Sequence, residues 1–379
     1  MKVLIVNTKM DIYGGAELLI VKLANYLSRE GIENALLTTF LSPEIEKDLN
    51  GTETLSLNKV FGRGVVLINT TREILMLQRH VQNFKDSFDV INVHNFPAEV
   101  SVFGADKPTV WMCNEPPIFW LDQKLSLPLQ IPHRLLLSFE KLVVRKYVKH
   151  VCVSDKFNAE RFERIYGFKP AIINYGIDYG FFFEGNMKEA MEKFDLYDSF
   201  VVLHVGMLTP LKNQMGSIKT VEKLKDRIPN IKLVLAGLGE GDYRVMLENY
   251  IKEKNLEQNV VFTGHLNRES VKDLYHACDV LLHPIKSQGG WLAPFEALCA
   301  KKPIIVSREM TASDIIRREG IGIVTDDFAE AILDIYNNPG KYYEIAERGQ
   351  AWVKGNLNWD NFCEKMVDVF YRAIGVKRT

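Results

Sequence analysis

"HPIKSQGGWLAPFEALCAKKPIIVS", running from His283 to Ser307, decides how the rest of the chain reads. Apolar runs bound it: "DVLLHP" leads in and "PIIVS" closes it. Both read as short strands, with a helix between them that starts around Phe295–Glu296. Strand, loop, helix, strand is the repeating unit of a parallel sheet. Gly289 and Gly290 let backbone approach a ligand, and Pro294 is preorganised for a first helical turn. The free N–H groups and the dipole of such a helix suit an anion. Glu296, expected within the first turn, can accept two hydrogen bonds from a vicinal diol such as ribose O2 and O3. Taken alone, the stretch favours a plainer reading: a turn before a helix-start glutamate, which the dipole also stabilises.

The same alternation runs through the whole chain. "KVLIV" is followed by "ELLIVKLANYLSREG", whose apolar residues recur at helical spacing up to Gly31. Further strand candidates are "ALLTTF", "DVINV", "TVWMC", "HVCVS" and "AIINY". A second set follows: "FVVLHVG", "IKLVLAG", "NVVFTG", "DVLLHP", "PIIVS" and "GIGIV". Continuous Val/Ile/Leu runs indicate strands buried on both faces, hence parallel sheets covered by helices. Between the sets lies "NYGIDYGFFFEGNMKEAMEKFDLYDSF", with Gly176, Gly180 and Gly185 and then a charged helical stretch. The expected class is α/β, with Rossmann-like domains over residues 1–178 and 195–355. The amphipathic helix over 356–379 is expected to cross back to the first domain. Two such domains facing each other carry a ligand in the cleft, at the carboxyl ends of the strands.

Length and composition agree: 379 residues make two domains the default, and a net charge of −1 gives no pull toward nucleic acid. Five scattered cysteines without a C-x-x-C read as buried free thiols in a reducing, cytoplasmic compartment. "MKVLIV" reads as a first core strand rather than a leader, and no apolar run is long enough to span a bilayer.

Three loops of the second domain carry candidate binding residues. In "VGMLTPLKNQ", Gly206 allows a turn close to a ligand, and Lys212 stands where a helix should begin. That lysine either neutralises a phosphate or is a solvated surface residue. In "LAGLGEG", Gly237, Gly239 and Gly241 follow a strand, but G-x-G-x-G is not the dinucleotide fingerprint and reads first as a flexible turn. After "VVFTG", backbone at His265–Leu266 offers a surface for a planar base, and Asn267 caps a helix from Arg268 to Cys278.

The order of these segments resembles the donor half of glycosyltransferase family 4, a retaining group with the GT-B fold. "GGAE" (Gly14 to Glu17) and "INYGID" (Ile173 to Asp178) resemble that family's first loop and hinge. The resemblance is strong from about 173 to 325 and weak between 40 and 140. It implies a nucleotide-sugar co-substrate, a UDP- or GDP-sugar, and no metal ion. Lys212 is then expected to hold the diphosphate. Gly289, Gly290, Trp291 and Leu292 contact sugar and phosphate through their amides, and Glu296 holds the ribose. Gly14, Gly15, Gly206, Gly237, His265 and Leu266 line the rest of the site.

Three positions depart from the family pattern. Met207 stands where an arginine is usual, which leaves Lys212 alone unless Arg308 or another cation reaches in. Gln288 stands at the first glutamate of the family's E-x7-E motif, keeping hydrogen bonds and losing charge. In "WMCNEPPIFW", Asn114 stands where a histidine is common, and an asparagine cannot take a proton. His94, at the end of a predicted strand, is the candidate to compensate, against the alternative of an ordinary loop histidine. Glu115 is a second acceptor-side candidate.

A dehydrogenase is excluded because "MDIYGGAE" lacks the spacing of the dinucleotide turn. A GT-B-fold epimerase and a catalytically weakened sugar-nucleotide-binding relative stay open. The acceptor, a glycan, glycolipid or polysaccharide precursor, belongs to the first domain. Between His133 and Lys149 there are five Lys/Arg against one Glu, beside many leucines. This stretch is either a peripheral contact with an anionic membrane or a partly buried helix with a solvated basic face.

Overall fold

The computed structural model describes residues 1–59, 66–117, 127–239, 241–286 and 290–378. The chain divides into two units, Met1–Tyr175 with Trp359–Thr379, and Gly176–Asn358. The first is built on β1 (Lys2–Val6), β2 (Glu33–Thr38), β3 (Glu53–Ser56), β4 (Val90–His94), β5 (Thr109–Met112), β6 (His150–Val153) and β7 (Ala171–Ile172). All pair in parallel, in the order β3-β2-β1-β4-β5-β6-β7. The second carries β8 (Phe200–Val205), β9 (Ile231–Ala236), β10 (Val260–Gly264), β11 (Val280–His283), β12 (Ile304–Val306) and β13 (Ile323–Val324). Its order is β10-β9-β8-β11-β12-β13, again all parallel.

Each sheet therefore reverses its winding once, at β1/β4 in the first unit and at β8/β11 in the second. Ligands of doubly wound sheets bind beyond the carboxyl ends of the strands at that reversal. The central strands are Val/Ile/Leu runs because both faces are covered: Val3 to Val6 and Val201 to Leu203 are wholly buried. β3 was not legible in the sequence. "ETLS" has one aliphatic residue, and as an edge strand paired only to β2 it needs no apolar run.

The helix Trp359–Ile374 belongs to the first unit, where it packs on the helix Gly15–Arg29 and buries Phe362, Met366 and Phe370. Lys149 Nζ donates to Ala373 O at 2.6 Å and Arg29 pairs with Asp360 at 2.7 Å, fixing both ends of that helix. The second unit begins at Gly176 rather than near 195. Its helix Met187–Phe194 packs on the helix Arg268–Ala277, and Asn186 N–H donates to Asp273 Oδ1 at 2.6 Å. A glycine-rich, charged stretch looks like a linker when the residues that anchor it lie some 80 positions away. All five cysteines are free and buried.

Candidate functional site

The loops after β8 and β11 are knitted together at the switch point of the second sheet. Gly206 leaves β8 with φ +151°, and a Cβ there would lie 3.6–3.8 Å from the stem carbons of Lys212. The lysine thus lies along the strand end. Gly237 has φ +155°, and a Cβ on it would stand 2.1 Å from Gly206 O; one on Gly239 would stand 2.1 Å from Leu208 Cβ. These glycines are therefore a steric requirement, not the flexible turn that the spacing first suggests. Gly206 N–H donates to Ala236 O at 2.9 Å and Leu208 N–H to Leu238 O at 2.7 Å, binding the two turns to each other.

Asn213, left-handed at φ 61°, caps the helix Gln214–Leu224 by accepting from Gly216 N–H at 3.2 Å. Its Nδ2 donates across to Pro284 O at 2.9 Å, and Lys286 N–H donates to Leu211 O at 2.8 Å. The loop of Lys212 is thereby held beside Pro284 and Lys286. The left-handed cap also explains why the helix starts two residues after Lys212 rather than at it. No second cation comes from Arg308, which is exposed and paired with Asp326 at 3.7 Å. Met207, in place of the usual arginine, is 53% exposed.

Gln288 and Gly289 lie outside the described residues. Gly290 is half-buried, and Trp291 buries its ring against Phe295 at 4.7 Å between centroids. The helix begins at Leu292, not around Phe295, so Glu296 sits in its second turn. That placement corrects the expectation of a first-turn carboxylate and weakens the helix-start alternative, since the dipole acts within the first turn. Tyr275 Oη donates to Glu296 Oε2 at 2.8 Å. Burial pushes the Glu296 carboxyl up to about 7, against the opposing pull of Tyr275 and Arg268 and with a push from Asp178. A part-exposed carboxylate held at such a pKa costs stability once it ionises.

Arg268 pairs with Asp178 at 2.7 Å and lies 4.7 Å from the Phe181 ring centroid. This pair and Tyr275 were missed in the sequence. Helical spacing puts Tyr275 on the inner face of its helix, but nothing local tells that its hydroxyl meets a glutamate 21 residues on. His265 is exposed and Leu266 half-buried after Gly264. Asn267 accepts from Ser270 N–H at 2.9 Å and caps the next helix, as its identity predicts.

In the first unit, asparagines collect at the carboxyl ends of β1, β4 and β5. Asn95 Nδ2 donates to Asn7 Oδ1 at 3.2 Å and Asn114 Nδ2 to Asn95 Oδ1. Tyr175 Oη donates to Asn114 Oδ1 at 2.7 Å. One hydrogen bond is taken at each end of the Asn114 amide, leaving one N–H and one lone pair of its capacity. Glu115 follows, half-buried. His94 does not compensate for the absent histidine. It is fully buried, bonded through Nε2 to Asn92 Oδ1 at 2.8 Å, and burial lowers its pKa to about 3. A proton acceptor must reach its substrate, and this ring is a core residue. Gly14 caps the helix Gly15–Arg29, where its N–H donates to Glu17 Oε2 at 3.2 Å; both glycines are exposed.

Two doubly wound parallel sheets in series, the second with a lysine and a glycine loop at its switch point, define the GT-B class of fold. The Glycosyltransferase Family 4 profile matches residues 13–181, and the Glycosyl transferases group 1 profile matches residues 186–352. The chain belongs to this family of glycosyltransferases. An uncharacterized glycosyltransferase of Methanocaldococcus jannaschii is 30% identical over 182 residues, 47% of this chain and 46% of that protein. A D-inositol 3-phosphate glycosyltransferase of Mycobacteroides abscessus is 24% identical over 234 residues, 59% of this chain and 51% of that protein. The chain thus spans about half the length of the curated relatives it matches. Among solved structures, Anabaena HepE in complex with UDP and glucose superimposes with a TM-score of 0.79 at 19% identity, covering 98% of this chain and 100% of that one. Sucrose-phosphate synthase from Thermosynechococcus elongatus gives 0.80 at 16% identity, covering 99% of each. These two likenesses establish the fold.

Proposed function

We propose that this chain is a retaining, metal-independent glycosyltransferase that moves a sugar from a UDP- or GDP-sugar to a glycan, glycolipid or polysaccharide-precursor acceptor. One observation carries the reading: Lys212 lies on Gly206 in a loop bonded to Pro284 and Lys286, just beyond β11 at the switch point of the sheet. Breaking the bond from the sugar C1 to the diphosphate oxygen leaves charge on the diphosphate, and a fixed cation with aimed amides lowers that barrier. Glu296, with Tyr275 on one oxygen, keeps lone pairs for the two ribose hydroxyls. The UDP held by HepE supports this choice of donor. Lys212→Ala is expected to weaken UDP or GDP binding by about 10- to 100-fold, the size of one charge-assisted hydrogen bond. Isothermal titration checks it, with little change in melting temperature as the control. The reading fails if neither nucleotide binds the wild type.

A second reading, a nucleotide-binding relative with weakened catalysis, is favoured by the exposed Met207 and the buried His94. It predicts the same titration with no turnover of any acceptor. An epimerase instead forms product with no acceptor added, and chelation of divalent ions leaves a metal-independent transfer unchanged.

The acceptor side offers the helix Leu127–Tyr147. Leu135, Leu136, Phe139 and Leu142 are exposed on it beside Arg134, Arg145 and Lys146, whereas its lone acid, Glu140, is buried. An apolar stripe with an unopposed basic flank suits an anionic lipid surface. Flotation with phosphatidylglycerol vesicles is expected to carry the protein, and Leu135→Asp with Leu142→Asp to abolish it. Equal flotation of the double variant removes the membrane contact.

A further inference from the structure

His204 on β8 and His283 on β11 meet edge-on at the switch point of the second sheet, ring centroids 6.1 Å apart. Both are 1% exposed. His204 Nδ1 bonds Ser217 Oγ at 2.8 Å, which ties it to the helix Gln214–Leu224. Among the described residues neither ring nitrogen of His283 makes a full hydrogen bond, and the polar group that approaches the ring is the Gly290 backbone. Polar atoms buried this way cost free energy that an aliphatic side chain at the strand end would not. What the ring does touch is Gly290. A Cβ on residue 290 would stand 2.4 Å from His283 Nε2 and 3.1 Å from its Cε1, so the backbone there rests directly on the imidazole edge. Burial above all, then the charge of Lys212 and the neighbouring His204, holds His283 well below its usual pKa. A neutral ring lies beside a lysine without repelling it.

Pro284, Ile285 and Lys286 are each braced. Asn213 Nδ2 donates to Pro284 O at 2.9 Å, Ser307 Oγ donates to Ile285 O at 2.5 Å, and Lys286 N–H donates to Leu211 O at 2.8 Å. At Gly290 the brace is the imidazole. We infer that His283 is a positioning residue, setting the height of Gly290 so that the backbone N–H groups of 290–292 converge on the phosphate held by Lys212. The inference rests on the nucleotide-binding reading above. It also explains why residue 290 is glycine: a Cβ there would run into the His283 ring and stand 3.0 Å from Ile285 Cδ1.

A double-mutant cycle tests it, using UDP and GDP as probes and uridine and guanosine as their phosphate-free controls. His283→Ala and Gly290→Ala are each expected to weaken diphosphate binding by about 10-fold, with nucleoside affinity unchanged. In the double variant the new methyl enters the space left by the ring, and affinity returns to within about 3-fold of wild type, since contacting residues couple rather than add. His283→Asn, a smaller planar polar group, serves if His283→Ala does not fold, and an intermediate loss is expected. Additive losses, or equal losses for nucleoside and diphosphate, overturn the positioning role while leaving the donor assignment standing. A wild type that binds no nucleoside diphosphate overturns both.

Discussion

Glu296→Ala is expected to weaken nucleoside diphosphate binding by about 100-fold or more, because two hydrogen bonds to a charged acceptor are lost at once. Titration of wild type and variant with UDP and GDP measures it, and full retained affinity would show that the ribose lies elsewhere. Glu296→Gln separates charge from shape. Because the folded carboxyl ionises near 7 and an unfolded one near 4.5, the folded state holds the extra proton between those values. The cost of ionising it appears as pH rises through that window and is complete above about 7. The glutamine variant is therefore expected to be more stable than wild type at pH 8, by about 2 kcal/mol after allowance for the part-exposed group, and to converge with it near pH 4.5. Nucleotide affinity runs the other way. The wild type should bind more weakly as pH falls through about 7, as the carboxylate that accepts the diol is protonated, and the glutamine variant should show no such slope. Identical pH profiles for the two proteins would contradict the assignment.

The second large effect is on folding. Gly237→Ala forces a methyl to within 2.1 Å of Gly206 O, at a residue whose φ of +155° already excludes most side chains. Backbone must move on one side or the other. The expected cost is about 3 kcal/mol or more, combining overpacking with a strained dihedral. For a unit of this size that lowers the melting temperature by roughly 6–12 °C. Gly241→Ala meets no atom, but its φ of +79° with ψ −160° is a backbone region almost confined to glycine, so strain alone should cost about 1–3 kcal/mol. Gly340→Ala, in a helix with nothing within 4 Å, should be neutral or stabilising. Equal melting of the Gly237 and Gly340 variants would show that the two turns are not in contact. Since Gly206 also carries the stem of Lys212, the Gly237 variant is expected to lose nucleotide affinity along with stability.

The alternation of short Val/Ile/Leu runs with helical periods made the two parallel sheets legible, because a strand buried on both faces has no polar positions to hide it. All six strands of the second unit fall within runs the sequence displays. β3 escaped because an edge strand can be polar, and the true start of the second unit escaped because Asn186 is anchored by the distant Asp273. Lys212, Gly206 and Glu296 were grouped in the sequence by the order of their segments, and the structure sets Lys212 beside Gly206. Their geometry was not legible there: Gly237 meets the Gly206 carbonyl and Tyr275 meets Glu296, contacts between residues 31 and 21 positions apart, and His283 meets Gly290 across a loop. His94 misled for a related reason. A histidine at a strand's carboxyl end is well placed for a site, but Asn92 draws its ring inward.

The most direct measurement of the central claim is a crystal structure of the protein with a bound UDP- or GDP-sugar. The account predicts the distal phosphate within hydrogen-bond reach of Lys212 Nζ and of the backbone N–H groups at 290–292, with both ribose hydroxyls on Glu296. A diphosphate bound away from Lys212 and that loop would contradict it.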